Sequence, residues 1–448
     1  MRYKGVHAVT IPGAVHSWVS MNERWGSLPL KEVLEPAIHL ASEGHAVSPL
    51  VSLCWRASEG LLGASPNGSE LLIREGGRLR APLVGELVRQ PGLAKVLQLV
   101  AERGSPGFYD GEVAEAIVEV LTSHGGVMTR EDLASHVTRF CEPIETSYRG
   151  FRVLEIPPPG QGVAALEALN ILEQLDARAL HASDEAKYWH ASIEAMRLAL
   201  ADLHAHIGDA CHPSTTARLL SKQHAAQLAK RVSMEAAAPA GSAGEAGEAL
   251  RSDTICFSVT DRHGNAVSFI QSNYAGFGTG IVPKGCGMSL HNRGSGFGLL
   301  DPSHPNHLRG GAFPLHSIIP GMVLRSDGRF YCAFGNMGGA MQPQGHLQLL
   351  SKLIDLRLSP KHAVSLPRWY VDHDSPDAVE RLKLEHGTPA HVAAALAALG
   401  HRISPDSPVA ALGRLVFGRA HVILRLGRVE YGACETRSDG LCIALSSL

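Results

Sequence analysis

The sequence predicts an α+β chain in two halves, helix-rich before residue 234 and strand-rich after residue 254. Three observations predict it. Up to about residue 226, apolar residues recur at helical spacing, with Ser, Thr and Gly at the segment ends. From Met234 to Leu250 the composition falls to Ala, Gly, Glu, Pro and Ser, which offers almost nothing to bury and reads as an exposed linker. From Ser252 onward, small or polar residues alternate with apolar ones and turn residues come at short intervals.

Bulk properties set the outer bounds. At 448 residues, length alone suggests about three domains, although α/β chains this long also form one layered unit. A formal net charge of −2 points to neither nucleic acid nor an anionic membrane as partner. The eight cysteines are scattered without a C-x-x-C pair, so they predict buried thiols rather than a zinc site or disulfide framework. No run of about 18 apolar residues is present. The start, Met-Arg-Tyr-Lys-Gly-Val-His, lacks an apolar signal core, so the expected location of this chain is the cytoplasm.

In order, Val9–Gly13 reads as a short strand ending in a Pro-Gly turn, and Ala14–Arg24 as a helix. Leu28–Gly44 is a helix closed by its glycine, and Pro49–Ser58 a helix capped by Ser48. Gly92–Arg103 and Gly111–His124 are helical, and Thr129 caps another start. Cys141–Ile156 is two strand-like runs around a turn at Tyr148–Gly150. Pro157–Gly162 cannot be regular structure and leads into a helix over Val163–Leu175. Gln161 there is either pocket wall or part of a rigid loop. Asp184–His206 and Thr215–Ala226 are further helices. Asp202, His204, His206 and Asp209 crowd the end of the first, but His204 and His206, two apart, fall on different helix faces. No metal and no cofactor is expected.

Beyond the linker, Ser252–Thr260 and Ala266–Gln271 read as a hairpin around Asp-Arg-His-Gly-Asn. Ser272–Gly280 ends a strand in a glycine-dense loop, Gly287–Gly294 is a strand entering a loop, and Gly328–Phe334 pairs with the run before it. Gly338-Gly339 sits at a strand-to-helix junction, either as a plain tight turn or with exposed backbone N–H groups that can stabilise an oxyanion. Residues 346–357, 360–366 and 389–399 are helices, and Arg414–Arg425 and Arg428–Ala444 closing strands.

A cuttable segment thus delivers Thr254 to the start of a core strand. Cleavage of the Asp253–Thr254 bond would give the threonine hydroxyl its own α-amine as base. A free α-amine has a pKa of about 7.7–8.0, close to working pH.

The chain resembles the gamma-glutamyltranspeptidase (glutathione hydrolase) family over nearly its whole length, in a divergent, acylase-like form. Val9-Thr-Ile-Pro-Gly13, Pro157-Pro-Pro159, Asp253-Thr254, Asp261-x-x-Gly-Asn-Ala, Gly276-Phe-Gly-Thr-Gly280, Pro320, Gly338-Gly339, Pro367-Arg368 and Arg437-Ser-Asp-Gly440 carry the likeness, in the family's order. It implies a four-layer αββα N-terminal-nucleophile hydrolase fold. Self-cleavage would leave residues 1–253, with 234–253 as the linker to the cleavage site, as the large-subunit part, and 254–448 as the small catalytic subunit. The family's segment ahead of Val9, with an arginine for the substrate's α-carboxylate, has no match in residues 1–8, so the large-subunit part is read as shortened.

The resemblance assigns Thr254 as nucleophile, Ser272 as the hydroxyl bonded to it, and Gly338 and Gly339 as the oxyanion site. Substrates would be glutathione or other γ-glutamyl or acyl amides, with water or an amine as acceptor. Several positions depart from the pattern. Ile255 stands where a second threonine is usual. Tyr274 replaces an asparagine, with Asn273 beside it. The Gln and Asp that hold the substrate's α-amino group align with Arg293 and Gly296, and the carboxylate-binding Ser pair with His316-Ser317. Loss of an amine-binding carboxylate disfavours a glutamyl head, because a buried ammonium needs an anion. A glutaryl or cephalosporin-type acylase is therefore one alternative, and a non-catalytic, uncleaved family member another.

Overall fold

The computed structural model describes residues 5–239, 252–372, 380–404 and 414–445, with only the backbone of Ser252 and Asp253. Residues 240–251, the centre of the expected linker, lie outside the described residues. Two compact units result: residues 1–140 with 273–295, and residues 141–272 with 296–448.

The first unit is mostly helical, with helices over Ala14–Trp25, Leu30–Glu43, Pro49–Ala57, Pro91–Arg103 and Glu112–Thr122. Val15, Val19, Val96, Val100, Ile117 and Leu121 make its main core. Each such buried side chain contributes roughly 1.5–3 kcal/mol. The predicted caps are present: Ser48 Oγ accepts from Val51 N, and Thr129 and Asp132 form a reciprocal capping box. Gly44 closes its helix at φ 99°, where a side chain would be strained.

Two expected strands here are absent. Val6–Ala8 is a 3₁₀ turn and Val9–Gly13 joins no sheet. Pro12 has no N–H to give a ladder, and its carbonyl accepts the Tyr109 hydroxyl. Gly287–Gly294 is likewise no strand. Leu290 bonds back to Ile281 and Thr279, but Pro283 and positive φ at Gly285 and Gly287 break any continued ladder.

The second unit is built on a six-stranded antiparallel sheet. Its strands are β1 (Ile144–Tyr148), β2 (Phe151–Glu155), β5 (Gly321–Arg325), β6 (Phe330–Met337), β9 (Arg419–Leu426) and β10 (Val429–Cys434). The order across the sheet is β10-β9-β6-β5-β2-β1. Arg149 (φ 50°) and Gly150 (φ 84°) make the tight β1–β2 turn. A separate pair, β7 (Trp369–Asp372) and β8 (Arg381–Leu384), lies outside this sheet.

One face of the sheet packs on helices α1 (Gly162–Gln174), α2 (Glu185–His206) and α4 (Met341–Ile354). Val323, Phe334, Val422 and Leu424 meet Leu166, Leu169, Leu200, Leu347 and Leu350 there. The predicted 215–226 helix is instead two, Pro213–Leu219 and α3 (Lys222–Ala229), because Ser221 turns out of helical conformation to cap the second.

A two-stranded hairpin, β3 (Ser252–Thr260) and β4 (Ala266–Ala275), lies on the other face. It is held by Ser268 Oγ donating to Phe334 O at 3.0 Å and by Ser258 Oγ against His421 Nε2 at 2.8 Å. Its outward side shows Ile255, Phe257 and Val259 to solvent. The expected last strand over Arg428–Ala444 stops at Cys434, where Glu435 and Arg437 turn into a buried ion network. The cysteines also depart from expectation: of the eight, Cys286 and Cys332 are buried, four are partly buried, and Cys141 and Cys442 are exposed. Among the described residues no helix is long and apolar enough to cross a membrane.

Candidate active site

Thr254 is the third residue of β3 and 4% exposed. Its Oγ1 lies 2.9 Å from Ser272 Oγ on the paired strand β4. Strand alternation turns Thr254, Cys256 and Ser258 to one side, toward the large sheet. Cys256 Sγ occupies the space over Gly335, where an added Cβ would come within 2.3 Å of it. This close approach requires glycine on β6 and brings the hairpin down within three residues of Gly338. Burial pushes the Cys256 thiol up to about 12, so it is an inert neighbour rather than a rival nucleophile. Burial, then His346, pushes His421 down to about 4, so the imidazole facing Ser258 is neutral at physiological pH.

β6 ends at Met337, and Gly338 (φ 142°) and Gly339 (φ 60°) carry the chain into α4. A Cβ on Gly338 would lie 3.0 Å from both Gly418 Cα and Met341 Cβ, so this turn accepts no larger residue without movement. The two carbonyls cap the helix, accepting from Met341 N and Gln342 N at 3.1 Å. Among the described residues, the N–H groups of Gly338 and Gly339 meet no acceptor. They stand at the positive end of a 14-residue helix, the arrangement that suits an oxyanion.

The Pro157–Gly162 loop comes to the same place. Gln161 is buried and its Nε2 donates to Gly339 O at 3.4 Å. Gly160 bridges His316, whose N–H donates to Pro159 O at 2.8 Å, and Ser317 follows it, buried. Gln342 Oε1 accepts from Ile319 N at 3.0 Å and ties this segment to the start of α4. Gln161, His316-Ser317 and the glycine pair are thus one assembly, a convergence that their distances in sequence conceal.

Asn273, Tyr274 and Arg293 belong to the first unit. Asn273 O accepts from Asn292 N at 3.3 Å, and Tyr274 takes a positive φ of 74°. The Arg293 guanidinium lies 4.4 Å from the Tyr274 ring centroid and is 4% exposed, a cation–π stack. In the second unit, Gly296 accepts Asn306 Nδ2 at 2.7 Å, and a Cβ there would come within 2.9 Å of Leu315 O. A carboxylate side chain has no room at that position.

Asp202, His204, His206 and Asp209 do not form one cluster; of the other three, His206 comes within 4.0 Å of Asp202. His204 O accepts from His304 Nε2 at 2.8 Å, and Asp209 faces Arg309 at 3.8 Å. Asp202 instead meets two residues that the sequence reading passed over, Glu167 on α1 and His224 on α3. Glu167 sits in an apolar helical run and His224 in a polar one, so neither carries a local signal.

Comparisons with known proteins agree with the mixed α and β fold. The family model "Gamma-glutamyltranspeptidase" matches residues 1–445. The "Glutathione hydrolase-like YwrD proenzyme" of Bacillus subtilis (strain 168) is 36% identical over 84% of this chain and 70% of its own. The "Acylase ACY 1 proenzyme" of Pseudomonas sp. (strain SE83) is 33% identical over 99% of this chain and 76% of its own. Among solved structures, cephalosporin acylase from Bacillus halodurans superposes with a TM-score of 0.88 at 36% identity, covering all of this chain and 80% of that one. These relatives are hydrolases of mixed α and β content, and the curated ones are named as proenzymes. The chain belongs to the gamma-glutamyltranspeptidase family.

Proposed function

We propose that the protein is a self-cleaving amide hydrolase of αββα N-terminal-nucleophile type, with Thr254 as nucleophile. The observation that carries the reading is the 2.9 Å approach of Thr254 Oγ1 to Ser272 Oγ, with Thr254 buried as the third residue of β3 and the first after the scissile Asp253–Thr254 bond. In maturation, Thr254 Oγ attacks the Asp253 carbonyl. The C–N bond breaks as the acyl group passes from nitrogen to oxygen, and water hydrolyses the resulting ester. Fragments 1–253 and 254–448 form, the second beginning with a free α-amine.

In turnover that amine takes the hydroxyl proton and Oγ attacks the substrate amide. The oxyanion is held by the N–H groups of Gly338 and Gly339. The proton then goes to the leaving amine, and water or an acceptor amine resolves the acyl-threonine. Ser272 orients the hydroxyl. Glutathione and other γ-glutamyl amides are one substrate class.

A second acyl class is favoured by Gly296. The space above it, closed by Leu315 O, leaves no place for the carboxylate that a substrate ammonium would require. A glutaryl or similar group without an α-ammonium suits such a site, and the similarity to acylases supports this. Chromogenic glutaryl and γ-glutamyl anilides compared on one preparation test it. Higher kcat/KM with glutaryl is expected; preference for γ-glutamyl returns the reading to glutathione-type substrates, and hydrolysis of neither points to a non-catalytic member.

A further inference from the structure

We propose that Glu167 of α1, Asp202 of α2 and His224 of α3 form a binding site for one divalent transition-metal ion of the zinc type, separate from the Thr254 site. One ligand atom from each lies within 4.8 Å of the other two. His224 Nε2 hydrogen-bonds Asp202 Oδ2 at 2.7 Å and stands 3.2 Å from Glu167 Oε1 without a hydrogen bond to it. An imidazole nitrogen carries one hydrogen at most, so it cannot serve both carboxylates.

The second observation is the state of Glu167 itself. Its side chain is fully buried, its oxygens accept from no N–H or O–H donor, and the group within hydrogen-bond reach of it is the Asp202 carboxylate. A buried carboxylate without a donor is costly. Arg218 lies close enough to oppose part of that cost but forms no ion pair with Glu167 among the described residues. The local chemistry is two carboxylates and one imidazole with ligand atoms within 4.8 Å of one another, donor types that zinc and its neighbours accept. Asp202 is 21% exposed at its side chain, so the site opens to solvent on one side. His206 Nε2, 4.0 Å from Asp202 Oδ1, stands at that opening as a candidate fourth ligand, and water is the other. Each ligand comes from a different helix, so the ion would fasten α1, α2 and α3 together behind the sheet.

The alternative occupant is a proton. Burial, and after it Asp202, pushes the Glu167 carboxyl up to about 10, enough to keep it protonated in a metal-free protein. The test uses the full chain, stripped of metal with a chelator and titrated with Zn²⁺ in a calorimeter, beside Glu167→Gln and Asp202→Asn. Wild type should take up about one tight equivalent, and each variant should lose at least about 100-fold in affinity for it. Co²⁺ added to the stripped wild type should give visible d–d absorption that Zn²⁺ abolishes, a readout needing no variant. Equal affinity and stoichiometry in all three proteins would assign the binding to surface histidines and overturn the site. No uptake and no Co²⁺ band in wild type would overturn it in favour of a shared proton.

Discussion

Arg368 and Glu435 form an ion pair at 2.6 Å with side chains 2% and 0% exposed. Glu435 is shared with Arg437, which also clasps both oxygens of Glu385 at 2.6 Å. Arg368 reaches further, donating to Asn336 Oδ1 and Phe417 O at 2.9 Å. Asn336 precedes the Gly338–Gly339 turn by two residues, and Gly418 fits against its Nδ2. Two of the motifs that carry the family likeness, Pro367-Arg368 and Arg437-Ser-Asp-Gly440, therefore act at a distance by fixing the strand end that presents the glycine pair.

Arg368→Met should destabilise the fold by about 3–5 kcal/mol, because it strands buried acceptors and half of a buried charge cluster. Urea unfolding followed by circular dichroism measures this. A loss under about 1 kcal/mol would show that the network is not what holds the turn.

Ser272→Ala removes the hydroxyl 2.9 Å from Thr254 Oγ1 without opening a large cavity. Unfolding midpoints should stay close to wild type while kcat/KM falls about 10- to 100-fold, the value of one hydrogen bond of about 1–3 kcal/mol to a reacting group. Equal kcat/KM in both proteins would remove Ser272 from the mechanism.

Stability should fall on the acid side, and His421 supplies part of the loss. Its folded-state pKa is depressed from 6.5 to about 4. As pH falls from 6.5 the unfolded chain takes up a proton that the folded one does not, so stability is full above 6.5 and lost down to about 4. Across that window the loss amounts to about 3 kcal/mol. His421→Gln should flatten the stability–pH curve across that window; an unchanged acid limb would place the proton uptake elsewhere.

Local features were legible in the sequence. Caps at Ser48 and Thr129, the Arg149-Gly150 turn and the Thr254 hairpin each follow from a few neighbouring residues. Some misses were local, as at Ser221, but most come from long-range packing. Nothing near β2 shows that it pairs with β5, and nothing near Arg368 shows that Glu435 awaits it. Val9–Gly13 has strand-like residues, but its proline carbonyl is taken by Tyr109 from another helix, and no strand forms. The glycine pair was legible as a turn; that Gln161 and His316 meet it was not, since a loop contact leaves no periodic trace.

An intact-mass spectrum of the purified protein, beside a Thr254→Ala control, tests the central claim most directly. Wild type should resolve into two fragments meeting between Asp253 and Thr254, with the control remaining a single chain. One uncleaved mass from both proteins, or cleavage that persists in the control, would contradict Thr254 as the nucleophile.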